Sequence, residues 1–187
     1  MNKLLSLLLI LISTSLFAQN DTSTTFVTTQ GKVHFFSASP IENIEATTTK
    51  AVCVFSTKTQ KINAKILITS FVFKDKLMQE HFNENYLESD KYPYSVFNGE
   101  IVEPLDYNKD GDMPVTIRGT FEIHGVELAR EVKGILTIKN GQPISAKAKF
   151  DVTLADHNIS IPAAVTLAIS KVIAVDLAFN LIPYQKK

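Results

Sequence analysis

The chain has 187 residues, 45% of them hydrophobic, and its 19 Lys and Arg are balanced by 19 Asp and Glu. That length favours one domain able to bury a full core without covalent staples. The neutral balance excludes a dedicated nucleic-acid binder and a polybasic membrane-surface module. The single cysteine excludes both an internal disulfide and a Cys-rich zinc site.

Residues 1–18 read as a secretory signal peptide. Lys3 supplies the positive start, residues 4–12 form a nearly unbroken apolar run, and Ser13, Thr14 and Ser15 lead to Phe17-Ala18. Cleavage is expected between Ala18 and Gln19, which divides the chain into a signal (1–18) and a single domain (19–187). The run is shorter than the roughly 20 apolar residues needed to span a bilayer. No cysteine lies near the cut, so a lipoprotein anchor is not expected, nor any other stable membrane anchor. Cleavage removes Lys3 and no acid, leaving a slightly acidic chain. The expected location is the periplasm or the exterior.

Two-residue alternation dominates the remainder and places one face of each strand inside. Strands are expected at 24–29, 32–37, 51–57, 61–73 and 95–102, then at 115–123 and 126–138, parted by His124-Gly125. Asn140-Gly141 separates Ile138 from Ile144, which is the strongest short hairpin signal. The clearest alternation follows in 146–154, with apolar residues at even positions, and 173–181 repeats it at odd positions. Cys53 lies in the apolar stretch 51–55 and reads as a small buried hydrophobe, not a reactive thiol.

Two segments leave the two-residue period. In 75–87, Leu77, Met78, His81, Phe82 and Tyr86 recur at helical spacing, with Asp75 as N-cap. In 162–172, Val165, Ile169 and Val172 predict a second short helix, with Pro162 in its first turn. Neither can stand alone, so both are expected to lie on something apolar. About eight antiparallel strands either close into a barrel or stack as a sandwich.

Motifs for chemistry are scarce. His34, His81, His124 and His157 lack the spacing of a zinc site, and no nucleophile elbow or phosphate-cradling glycine loop is present. Asp106, Asn108, Asp110, Gly111 and Asp112 match the first half of a calcium loop. Ile117 stands where the bidentate Glu belongs, so the expected reading is a polar turn. His81, Glu84 and Tyr86 are the one set of neighbouring polar groups that catalysis would require, and nothing in their spacing defines an acid–base pair. Phe71, Phe73, Met78, Phe82, Tyr86 and Phe97 gather around the first helix. They either fill a solid core or line a cavity for an elongated apolar ligand.

Several segments together resemble the YceI-like family of secreted bacterial proteins. These are GKVHFFS at 31–37, IEA at 44–46, FVFKDKLMQEHFNENYLESDKYP at 71–93, FNGEI at 97–101, GTFEIHG at 119–125 and FDVTLADHNI at 150–159. The resemblance spans nearly all of the chain after residue 18. It implies an all-β, antiparallel lipocalin-like barrel of about eight strands, with one or two short helices near the mouth. It also implies a non-enzymatic binding protein for a polyisoprenoid or similar lipid, with a quinone within the ligand class. The family carries no short catalytic motif to transfer. The lining expected from pattern and position is Phe71, Phe73, Met78, Phe82, Tyr86 and Phe97, joined by Phe121, Phe150 and Phe179. No cofactor, metal or nucleic acid is expected, and a homodimer is left open. The alternative is a solid barrel acting through its surface in an interaction or stress response.

Overall fold

In the computed structural model, the structure describes residues 24–185. The strands are β1 (Thr25–Ser37), β2 (Ile44–Ser56), β3 (Lys61–Leu67), β4 (Val72–Phe73), β5 (Tyr94–Ile101), β6 (Gly111–Ile123), β7 (Val126–Lys139), β8 (Gln142–Thr153), β9 (Val172–Asn180) and β10 (Ile182–Pro183). One helix, α1 (Lys76–His81), lies between β4 and β5. The expected signal segment and its expected cleavage position lie outside the described residues.

All pairings are antiparallel, in the order β1-β9-β8-β7-β6-β5-β3-β2, and β2 returns to β1. An eight-stranded barrel results, not a sandwich. Its inner wall is the apolar set that alternation points inward: Ile62, Ala64 and Ile66 on β3, Val115 and Phe121 on β6, Val175, Leu177 and Phe179 on β9. The short strands β4 and β10 extend the outer ends of β2 and β1.

The two-residue turns follow their sequence signals. Asn140 and Gly141 have φ of 52° and 76°, and His124 and Gly125 have 54° and 71°. Positive φ at both central positions defines the type I′ hairpin, whose twist matches that of the strands. Asn tolerates this conformation and Gly141 enters it at no steric cost.

Several expected boundaries are corrected. Segments 24–29 and 32–37 are one strand, because the β1–β2 register shifts around Gly31. Below the shift Phe26 and Thr28 face inward; above it Val33 and Ser37 do. This change of phase reads as a break in one-dimensional alternation. Strand β2 begins at Ile44, seven residues before the expected start at 51. Its first half is hard to read because the inward position Thr48 is polar; its hydroxyl bonds that of Ser70 at 2.7 Å, and Ser70 donates to the Leu67 carbonyl at 2.6 Å. The expected strand 61–73 stops at Leu67, where a 3-10 turn (Ile68–Ser70) turns the chain across the barrel end.

The first helix begins as its cap predicts: Asp75 accepts from the backbone N–H of Met78 at 2.8 Å. Beyond His81 it widens into a π turn (Phe82–Tyr86). The second expected helix, 162–172, is not formed. A single 3-10 turn (Ala163–Val165) stands there. The backbone is engaged elsewhere: Ser170 N–H donates to the Ser37 hydroxyl at 2.9 Å, and Leu154 N–H donates to the Lys171 carbonyl at 3.0 Å. Val172 opens β9 instead of closing a helix.

Gly31 also sets a packing limit. A Cβ there would come within 2.5 Å of the Phe179 ring and 3.0 Å of the Ala51 carbonyl. Gly31→Ala is therefore expected to destabilise by about 1–3 kcal/mol, the usual range for overpacking. Denaturant unfolding checks this, with a lowered midpoint expected at unchanged slope.

A hollow apolar chamber at the barrel mouth

Strand direction puts four connections at one end of the barrel: residues 38–43, 68–93, 124–125 and 154–171. Beneath them lies a chamber of about 510 Å³. Its wall is built by Val33 and Phe35 from β1, Ile66 from β3, Phe121 and Ile123 from β6, Phe150 and Val152 from β8, and Ile173, Val175 and Leu177 from β9. Its cover consists of Phe71 and Phe73, Met78 on α1, Phe82 and Tyr86 on the π turn, and Val165, Ala168 and Ile169 from the 154–171 connection.

Four aromatic rings meet where the cover joins the β1 wall. Phe82 stacks on Phe35 at 5.3 Å and 21°, and meets the Phe73 ring at 5.0 Å and the Phe71 ring at 5.8 Å. Such contacts add to the area that each ring buries. The π turn lets both Phe82 and Tyr86 line the chamber. Around the opening, Ile41 is 67% exposed, Leu77 58% and Leu167 68%.

The polar groups are few and sorted by depth. Ser37 accepts from Ser170 N–H, and Ser95 donates to the Glu122 carbonyl at 2.9 Å. Both interior hydroxyls thus have protein partners. Asp75 is occupied as the helix cap. Glu42 and His81 are exposed at the opening. Glu84 is exposed and takes no part in the chamber, so the His81, Glu84 and Tyr86 set does not converge.

Of the nine residues expected to line a cavity, the structure brings seven to this chamber: Phe71, Phe73, Met78, Phe82, Tyr86, Phe121 and Phe150. Phe97 and Phe179 instead border a second, smaller chamber of about 100 Å³ deeper in the barrel. Sequence reasoning missed Phe35, because adjacent Phe35 and Phe36 offer no choice of face until the shift at Gly31 is known. It also missed the aliphatic wall (Val152, Ile173, Val175, Leu177), although those strands were read with the correct inward phase.

The opposite end is closed. The connection after β5 packs Leu105 and Tyr107 on the core, and burial pushes the Tyr107 phenol up to about 12. Asp106 accepts from the backbone and side-chain nitrogens of Asn108, which with Lys109 hold its carboxyl below the usual range. Asp112 accepts from the Thr137 hydroxyl at 2.7 Å. Asp106 thus serves the turn and Asp112 the β6–β7 pairing, and among the described residues no group of three or more His, Cys, Asp or Glu is placed to hold a metal. Cys53 is buried and its thiol is pushed up to about 12 by desolvation, as suits a packing residue.

A further feature stiffens the mouth. The β7–β8 ladder runs only from Gly134–Ala148 to Lys139–Gln142, so the seam above it is open. Side chains fill it: Arg130 donates to the Asp151 carbonyl, and fully buried His157 donates from Nδ1 to the Val126 carbonyl at 3.1 Å. His124 bridges the carbonyl of His157 (3.1 Å) and the carboxylate of Glu88 (2.7 Å), tying the 68–93 connection to this seam.

The fold and the chamber define a lipocalin-like barrel with an apolar interior open at one end. The chain belongs to the family described as the YceI-like domain, whose model matches residues 15–181. Solved structures share the fold. A polyisoprenoid binding domain from Saccharophagus degradans, implicated in plant cell wall breakdown, superposes with a TM-score of 0.70 at 15% identity, over 87% of this chain and 99% of that one. BcnA from Burkholderia cenocepacia gives 0.65 at 15% identity, over 81% and 94%. The Campylobacter jejuni YCEI protein gives 0.57 at 15% identity, over 80% and 90%. No match was found among curated proteins.

The buried His157 makes a pH prediction. Burial holds its imidazole below the ordinary value, so the folded state prefers it neutral. Its contribution is complete above the unfolded value, about 6.5, and is lost as the pH falls through the lower folded value. The unfolding midpoint is expected to drop between about pH 7 and pH 5. His157→Asn, which keeps a donor for Val126, should show a shallower drop in the same titration.

Proposed function

We propose that this protein is an exported, non-enzymatic carrier or buffer for a long apolar molecule, a polyisoprenoid or a similar lipid. The tail lies in the chamber and the polar end at the opening. The observation that carries this reading is the chamber itself: about 510 Å³ of space with an apolar wall and two interior hydroxyls already satisfied by backbone. Such a space gives a hydrocarbon chain removal from water, at roughly 25 cal/mol per Å² before the costs of binding. It offers a polar head nothing until the chain reaches Glu42 and His81. A quinone with a prenyl tail fits the same logic.

Two further observations support it. The similar domain from Saccharophagus degradans is described as polyisoprenoid binding. The signal-like residues 1–18 support export to the periplasm or beyond. Among the described residues no helix is long and apolar enough to cross a membrane. A solid barrel acting through its surface draws no support from an interior that is hollow in its mouth half.

Protein purified without detergent is expected to release an apolar molecule on organic extraction and to carry its mass in native mass spectrometry. Emptied protein should take up farnesol or geranylgeraniol, and Phe82→Ala should weaken uptake about ten- to a hundredfold, since one buried aromatic side chain is worth about 1.5–3 kcal/mol. An empty barrel that refuses both prenols would refute the reading.

A further inference from the structure

The two chambers share Ile66, Ser95, Phe121, Phe150 and Leu177 in their linings. These residues come from β3, β5, β6, β8 and β9, and so make a waist around the barrel at one level. Its bulk is the pair Phe121 and Phe150, whose rings meet edge to face at 5.8 Å and 76°. Both rings are held from outside the pair. His157 stands edge-on to Phe121 at 5.4 Å, and the Arg130 guanidinium lies over the Phe150 ring at 5.3 Å. His157 and Arg130 are themselves bonded to the backbone across the open seam between β7 and β8. The rings are therefore braced on both sides and do not swing aside at no cost. Below them is unfilled apolar space, bordered by Cys53, Phe97, Ala146 and Phe179.

We propose that the Phe121–Phe150 pair is the floor of the binding chamber and sets the length of chain that the protein accepts. This rests on the reading that the chamber holds an apolar chain. One chain carbon takes up roughly the space of a water molecule, about 30 Å³ in the liquid. The 510 Å³ above the floor then holds on the order of 17 chain atoms, or three to four five-carbon units. A longer chain gains nothing further inside and leaves its remainder in water at the opening. The space below the floor, about 100 Å³, is room for only about three more atoms, and it becomes usable once a ring is removed.

The experiment uses straight-chain primary alcohols of about 10 to 24 carbons, each displacing a fluorescent fatty probe from the emptied protein. Affinity is expected to rise about tenfold with each added pair of carbons up to about 16–18, then to stay level. Phe150→Ala should move the plateau up by about four to eight carbons, the ring's own space adding to the lower chamber, while the shorter alcohols bind more weakly for want of the ring contact. Phe150→Leu is the gentler variant, with a smaller shift in the same direction. Ala146→Leu, which fills the lower chamber, should leave the native profile unchanged and cancel most of the gain when combined with Phe150→Ala. A native profile that keeps rising to the longest alcohol, or a folded Phe150 variant with an unmoved plateau, overturns the proposal while leaving the binding reading intact. Failure of every alcohol to displace the probe overturns the binding reading itself.

Discussion

Closure of the sheet is the constraint on which the rest depends. An open sheet of eight strands would expose two edges and a broad apolar face to water. Pairing of β1 with both β2 and β9 removes the edges and turns every apolar face toward one axis. With a single cysteine, no internal cross-link does this work. The barrel is held by ladder hydrogen bonds and by apolar surface removed from water, which is non-directional and needs no particular filling.

That last property permits a hollow interior. Toward the closed end, Phe26, Phe55, Leu136 and Ile138 are buried in one apolar cluster, and the space left there is only about 100 Å³. Toward the mouth the wall is aliphatic apart from Phe35 and the Phe121–Phe150 pair, and the covering segments hold the other large rings, so the axis is left free above that waist. The cover is tied down at its margins: Asp75 starts α1, Ser37 catches the 154–171 connection, and His124 with Glu88 fastens the 68–93 connection to the seam. An aromatic cover over an apolar chamber suits an apolar guest, because the surfaces that meet it are apolar on every side.

Much of the wall was legible in the sequence because its cause is local. Alternation in 146–154 and 173–181 states which side chains share a face, Asn140-Gly141 states where two strands turn, and Asp75 states where a helix starts. The cover was half legible. The aromatic residues of 71–86 stand out by type, and their place beside one another follows from a short helix. The segment 162–172 misled, since Val165 and Ile169 recur because they face the chamber, whereas beyond two tight turns the backbone bonds to β1 and to residue 154 and not along a helix. Phe35 was illegible, because a one-residue shift at Gly31 decides whether it or Phe36 faces inward.

The sequence by itself determined the class: an all-β chain with alternating strands, a short capped helix and no recognisable metal or nucleophile motif. Those properties arise from neighbours along the chain. Only the tertiary structure decided that the aromatic residues would divide, seven around the mouth chamber and two, Phe97 and Phe179, beside a smaller chamber below a waist. The physical reason is that cavity and core draw on the same side chains. What separates them is how far apart the walls stand, and that distance is set by the closed ladder and its register, which no local pattern encodes.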